Sequence, residues 1–287
     1  SSDLQARFQA RFQARFHRSA APSPDPMTTP RADTPPNTQP STQPNIHIPH
    51  LPARQPATTR PGLLFTMGRA ASRIILKLIY RAQAIDVHHV PTHGPLLIAA
   101  NHQSYLDPPL VGIFVTRELN FVARSGLFTF KPFAWLILRL NSIPLREEAG
   151  DVAAIKEILR RLDAGGAVVI FPEGSRSTDG SIGPFKRGVA LLVKRAGCPV
   201  VPAAVEGCFD AWPRGRWPSL FGKRLAVKYA PPIPHAELMK NGPDAALERL
   251  PSTIDSLRLD LRQHLRHNTQ GRYPKPGPGD RPRAPGA

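Results

Sequence analysis

Ala167-Val168-Val169-Ile170-Phe171 is an unbroken apolar run that follows directly on Gly165-Gly166, and those glycines close a helical pattern over 150–163 opened by Asp151. A strand apolar at every position reads as buried, with helices packed on the sheet that holds it. The middle of the chain repeats this arrangement. Further strands are expected at 84–90, 96–100, 119–123, 199–205 and 224–229, with helices near 108–116, 131–140, 186–196 and 245–266. Short strands alternating with helices predict an α/β fold, a mixed β-sheet covered by helices.

Proline sets the limits of that domain. Twelve of the 34 prolines fall in residues 1–61 and five in residues 271–287. Proline has no N–H and a fixed φ, so both stretches are expected to be disordered tails. The 62–270 segment between them has the length of one ordinary α/β domain. Within the first tail, Gln5-Ala6-Arg7-Phe8 recurs at 9–12 and 13–16, and no role is assigned to the repeat.

The net charge is +17, of which the tails carry +4 and +3, leaving +10 on the domain. A cationic domain seeks polyanions. Neither Cys/His finger spacing nor a basic strand laced with base-stacking aromatics is present, so nucleic acid is not the expected partner. An anionic membrane surface is. Across 62–82, Leu64, Met67, Ala71, Ile74, Ile75 and Leu78 follow helical spacing, and Arg69, Arg73, Lys77 and Arg81 recur every four residues. Such an amphipathic helix suits the headgroup region of a bilayer, and equally suits packing on its own domain. No apolar run approaches the roughly 18 residues needed to span a bilayer. The expected location is the cytoplasmic face of the cell membrane, peripheral or monotopic. Two cysteines, Cys198 and Cys208, cannot make a disulfide framework or complete a four-ligand zinc site, so no metal site is expected.

The chemistry-bearing residues sit just past two of the expected strands. Asn101-His102-Gln103-Ser104-Tyr105-Leu106-Asp107 follows strand 96–100, and Pro172-Glu173-Gly174-Ser175-Arg176-Ser177 follows strand 167–171. Ligand crevices in open α/β sheets form at such carboxyl ends. A histidine takes a proton from a hydroxyl well when an acceptor holds its second nitrogen. Asp107 is the candidate acceptor. Directly before Pro108, it is also a good helix N-cap, and the two roles are compatible. In the second segment Glu173 is an acid, Gly174 permits close backbone approach and Arg176 offers a donor fork suited to phosphate. Alone, Glu173 and Arg176 also read as a structural ion pair. His88, His89 and His93 cluster without a carboxylate or thiol at ligand spacing, and read as surface residues.

Together these segments resemble the signature of the glycerolipid acyltransferases, and more closely that of the 1-acylglycerol-3-phosphate (lysophosphatidic acid) acyltransferases. The resemblance covers most of 84–230 and rests on four blocks in order. They are Asn101 to Asp107; Phe121-Val122-Ala123-Arg124 leading to Ile143-Pro144-Leu145; Phe171 to Ser177 followed by Pro184-Phe185-Lys186-Arg187-Gly188; and Val201 to Gly207. It implies an acyltransferase-like αβ domain, with His102 as general base and Asp107 as its partner. It implies Arg124 and Arg176 as phosphate contacts, with Glu173, Gly174 and Ser175 shaping the acceptor site. Ser175 stands where threonine is usual, and Arg124-Ser125 replaces a more lysine-rich pair. Arg146 precedes Glu147, the reverse of the common order, and receives no role.

The implied reaction moves a fatty acyl group from acyl-CoA or acyl carrier protein to lysophosphatidic acid, with no cofactor and no metal. Other acceptors remain open at this point: glycerol-3-phosphate, a lyso-aminolipid or another lysophospholipid. So do thioester hydrolysis and non-catalytic binding by a basic lipid-binding protein. The apolar stretch Phe130–Leu140 suits either an acyl tunnel or an interior helix.

Overall fold

The structure, a computed structural model, describes residues 63–124, 143–145 and 150–283. Helix α1 (Leu63–Tyr80) leads into β1 (Gln83–Ile85), β2 (Leu96–Ala100), α2 (Asp107–Ile113), β3 (Leu119–Arg124) and β4 (Ile143–Leu145). The chain continues through α3 (Gly150–Asp163), β5 (Ala167–Ile170), α4 (Gly188–Ala196), β6 (Val200–Glu206) and α5 (Cys208–Ala211). It then forms β7 (Ala226–Tyr229), α6 (His235–Leu238) and the long α7 (Gly242–Asn268). The seven strands make one sheet in the order β1-β7-β6-β2-β5-β3-β4. Only β6 and β7 run antiparallel, so the sheet is mixed, as expected.

Every residue of β2, β5 and β6 is buried, which is why these strands are apolar nearly throughout. Successive side chains point to opposite faces of the sheet. Leu97, Ala99, Val168, Ile170 and Val200 pack into one core with residues of α3, α4 and α7. Leu96, Ile98, Ala100, Val169 and Val201 pack into a second core with α1 and α2. Truncating Leu97 or Ile98 to alanine removes about 2–5 kcal/mol from the layer it fills.

The junction before β5 needs its two glycines. Gly165 has φ +76°, and its N–H donates to Leu162 O at 2.8 Å. The N–H of Gly166 donates to Arg161 O at 2.9 Å, and a Cβ there would lie 2.7 Å from the same oxygen. The chain turns from helix to central strand without a loop.

Three features depart from expectation. The first is the C-terminal stretch, expected to be a tail from residue 271; it is packed as far as residue 283. Tyr273 is 4% exposed, and its hydroxyl donates to Gly207 O. Arginines of α7 satisfy the carbonyls of this proline-rich segment: Arg262 reaches Lys275 O, Arg266 reaches Pro274 O, and Arg258 reaches Gly279 O and Arg281 O. Proline removes a segment's own donors but leaves its acceptors for a neighbouring helix to use. The second is the set of short elements β4, α5 and α6, three or four residues each, which carry too little periodicity to read. The third concerns α1. It docks through Leu76 (5% exposed) and Tyr80 (3%), while Met67, Ile74, Ile75 and Leu78 face outward. Its cations flank α2: Arg69 donates to Val115 O and Thr116 O, and Arg73 and Lys77 lie 5.5 and 5.9 Å from the Phe114 ring centroid. Among the described residues no helix is long and apolar enough to cross a membrane. The helix expected at 131–140, the Phe130–Leu140 stretch and residues 1–61 lie outside the described residues.

Candidate active site

Strands β6, β2 and β5 are adjacent and mutually parallel, so the turns that follow them gather along one edge of the sheet. Asn101-His102 leaves β2, Phe171-Pro172-Glu173 leaves β5, and Glu206-Gly207 ends β6. Asn101 extends the pairing past β2 with its amide: Nδ2 donates to Val205 O at 3.0 Å and Oδ1 accepts Val205 N–H at 2.8 Å.

His102 Nδ1 lies 2.8 Å from Asp107 Oδ2, with the imidazole 19% exposed and the carboxylate fully buried. The same oxygen accepts the backbone N–H groups of Gln103 (2.5 Å) and Ser104 (2.7 Å). Asp107 therefore looks back along the turn. It lies within the first turn of α2, whose cap position is Leu106 with no side-chain cap, so the N-cap reading is not realised. With Nδ1 committed to the carboxylate, Nε2 is the ring nitrogen left for proton transfer. The imidazole stacks on Phe171, ring centroids 4.2 Å apart, which fixes the ring plane as the carboxylate fixes its rotation.

Glu173 points inward. Its Oε1 accepts the His102 N–H at 2.7 Å and its Oε2 accepts the Gly183 N–H at 2.8 Å. The His102 carbonyl accepts Ser177 N–H at 2.7 Å. The segment after β5 thus grips both polar groups of the His102 backbone. Burial pushes the Glu173 carboxyl up to about 8, aided by the Asp107 charge and opposed by the two backbone donors and Arg258.

Arg176 lies over the Tyr105 ring, its Cζ 3.7 Å from the centroid, and Tyr105 in turn meets Trp212 edge-on at 5.3 Å. The guanidinium is thereby brought to the His102–Asp107 turn, while the Glu173 carboxylate accepts backbone donors. Gly174 takes φ +66°, and a Cβ there would come within 3.1 Å of the Lys186 side chain, so the stem of Lys186 runs across it. Ser175 is exposed. Arg124 ends β3 at the same edge of the sheet, and its side chain lies outside the described residues. Of the histidine cluster, His88 is exposed, while His89 is half-buried and its Nδ1 is 2.9 Å from Tyr229 O.

A buried polar chain behind the turn was not legible in the sequence. Gln103 Nε2 donates to Gly180 O and to Glu206 Oε2, both at 3.1 Å. Glu206, fully buried, pairs with Arg262 at 2.7 Å and lies 3.7 Å from Arg258. Arg262 and Arg266 both reach Asp280 Oδ1 at 2.7 Å. The one signal available was an acid, Glu206, ending an otherwise apolar strand. The thiols lie in the two different core layers, Cys198 in that of α3, α4 and α7 and Cys208 in that of α1 and α2. Burial raises Cys198 to about 11, and burial with the Asp107 charge raises Cys208 well above its ordinary range.

Residues 82–206 match the family model described as Acyltransferase. A chloroplastic 1-acyl-sn-glycerol-3-phosphate acyltransferase of Brassica napus is 29% identical over 139 residues, covering 47% of this chain and 40% of that protein. The Bacillus subtilis 1-acyl-sn-glycerol-3-phosphate acyltransferase is 26% identical over 138 residues, covering 48% of this chain and 68% of the relative. The chain thus matches well under half the length of the Brassica protein. Among solved structures, the lysophosphatidic acid acyltransferase PlsC of Thermotoga maritima superposes with a TM-score of 0.56 at 27% identity. That superposition covers 68% of this chain and 79% of the Thermotoga chain.

Proposed function

We propose, from the match of residues 82–206 to the acyltransferase family model, that this protein moves a fatty acyl group from a thioester to the free hydroxyl of 1-acylglycerol-3-phosphate, giving phosphatidic acid. The observation that carries this reading is the 2.8 Å contact of His102 Nδ1 with the buried Asp107 carboxylate at the sheet edge where Arg176 also sits.

In this reading His102 Nδ1–H donates to Asp107, and Nε2 takes the proton of the acceptor hydroxyl as its oxygen attacks the thioester carbonyl carbon. Asp107 stabilises the imidazolium that forms. When the tetrahedral intermediate collapses, the C–S bond breaks and Nε2–H returns the proton to sulfur, so the products are an ester and a free thiol. The donor carrier is coenzyme A or acyl carrier protein. Arg176, held over the Tyr105 ring, binds the acceptor phosphate together with Arg124, and holding the hydroxyl at Nε2 makes part of the acceleration positional. Glu173 and Gly174 act on the acceptor site through the backbone they shape. The protein works on the cytoplasmic face of the cell membrane as a peripheral or monotopic protein. The outward Met67, Ile74, Ile75 and Leu78 of α1 support that placement.

The test supplies purified protein with an acyl-thioester and a set of acceptors. Stoichiometric thiol release and phosphatidic acid formation with lysophosphatidic acid is the expected result. Thiol release without a lipid product would replace the proposal with hydrolysis, and a preference for glycerol-3-phosphate or a lyso-aminolipid would replace the acceptor.

A further inference from the structure

The loop between α5 and β7, residues 212–225, exposes large apolar side chains beside cations. Phe221 is 81% exposed, Trp217 68% and Leu220 47%. Arg214, Arg216, Lys223 and Arg224 lie among them, and no acid occurs between Asp210 and β7. Its base is tied down. Trp212 N–H donates to Cys208 O at 2.9 Å, Ser219 N–H to Ala211 O at 2.7 Å, and Trp212 Nε1–H to Arg216 O at 2.9 Å.

The two ends of the loop meet different parts of the molecule. At the first end, Trp212 packs edge-on to the Tyr105 ring that carries Arg176, and its carbonyl accepts the Ser104 hydroxyl at 2.9 Å. At the second end, Leu225 N–H donates to Tyr80 O at 3.2 Å, which seats the loop on the last turn of α1, beside the 77%-exposed Leu78. Arg81, at the end of α1, and Arg272 are both exposed, and Arg224 is half-buried. Burial and the neighbouring charges of Arg81 and Arg272 disfavour the charged form of Arg224. Like charges held together in this way are relieved by a bound anion.

Exposed tryptophan, phenylalanine and leucine among cations without acids is the chemistry of an interfacial segment. The aromatic and aliphatic groups enter the boundary between headgroups and acyl chains, and the cations remain with the phosphates. A dry protein partner would leave the three guanidinium groups needing matched carboxylates, whereas an anionic bilayer supplies phosphates at any lateral position. We propose that this loop is a membrane-contact element in which Trp217, Leu220 and Phe221 enter an anionic bilayer and Arg81, Arg224 and Arg272 hold lipid phosphates. The proposal concerns a surface distinct from the His102 turn and does not depend on the acyl-transfer reading. It does give the His102 turn a reason to lie at the lipid boundary, because the first end of the loop packs against it.

The experiment measures binding of the full chain to phosphatidylcholine vesicles with and without phosphatidylglycerol. Trp217→Ser with Phe221→Ser is expected to weaken binding to both kinds of vesicle by about tenfold or more, from the lost apolar burial. Arg224→Gln with Arg272→Gln is expected to weaken only binding to the phosphatidylglycerol vesicles, by about fivefold per charge. Quenching of tryptophan fluorescence by bromine-labelled acyl chains should fall in Trp217→Phe. Thermal unfolding and turnover of a short-chain substrate below its micelle concentration should be unchanged in Trp217→Ser with Phe221→Ser, which separates this surface from the proposed chemistry. Unaltered vesicle binding in that double variant, or unaltered quenching in Trp217→Phe, overturns the proposal. So does normal vesicle binding combined with lost binding of purified acyl carrier protein, which would make the loop a protein-docking surface.

Discussion

Glu173 Oε1 accepts the backbone N–H of His102 at 2.7 Å, so the acid after β5 holds the main chain of the histidine after β2. The acid that the family resemblance gives a part in shaping the acceptor site is a brace between two turns. Its second oxygen is spent on Gly183, and its side chain is 5% exposed.

That burial makes stability depend on pH with a definite sign. The Glu173 carboxyl titrates near 4.5 when unperturbed and is raised to about 8 in the fold, so the folded state binds the proton more tightly. Its contribution is complete below pH 4.5 and is lost as pH rises through 8. Glu173→Gln is expected to flatten this decline in denaturant titrations between pH 5 and 8. The variant also places an amide NH2 against one backbone donor, which costs about 1–3 kcal/mol at pH 5. A decline as steep as in the parent protein would show that another group is responsible.

Asp107→Asn keeps the shape of the turn but removes the charge opposite the imidazole. Turnover of acyl-thioester with lysophosphatidic acid is expected to fall on the order of a thousandfold or more. His102→Ala is expected to fall at least as far, with membrane binding kept. Full turnover in His102→Ala would remove the proposed base.

Arg176→Ala is expected to raise KM for a phosphorylated acceptor more than tenfold, because a charge-assisted contact contributes about 1.5–3 kcal/mol. Tyr105→Leu leaves the guanidinium present but without its aromatic seat, worth about 0.5–2 kcal/mol, so the same constant should rise less. Steady-state kinetics with paired phosphorylated and unphosphorylated acceptors checks both. Equal losses on the two acceptors would end the phosphate role.

Arg262→Met breaks a buried pair with Glu206, leaves Asp280 with Arg266 as its remaining arginine, and removes the donor of the Lys275 carbonyl. A loss of about 3–5 kcal/mol is expected in urea unfolding, because a buried carboxylate is left less compensated. Deleting 271–287 should cost a similar amount. The Asp280 carboxyl, drawn far below its ordinary range by hydrogen bonds from Arg266 and Arg262, acts with the opposite sign to Glu173. Its contribution is present above pH 3.8 and is lost as pH falls. A stable, active truncation would show that the segment only rests on the domain.

Much of this molecule was legible in the order of its residues. Apolar runs such as Leu96–Ala100 and Ala167–Ile170 match their strands because burial on both faces demands apolar side chains at every position. Gly165-Gly166 marks the helix end because the first takes a left-handed φ and the second leaves no room for a Cβ. His102 and Asp107 are five residues apart, so the local turn alone can bring them together. What the order of residues left undecided depends on contacts between distant segments. The direction of Glu173 was settled by which donors reach it, and these lie 71 and 10 residues away along the chain. The C-terminal segment looked like a tail because its prolines cannot build structure of their own, yet arginines on α7 supply the donors it lacks. Local pattern fixes what a segment is able to form. Only the packed molecule decides which partner satisfies each buried polar group.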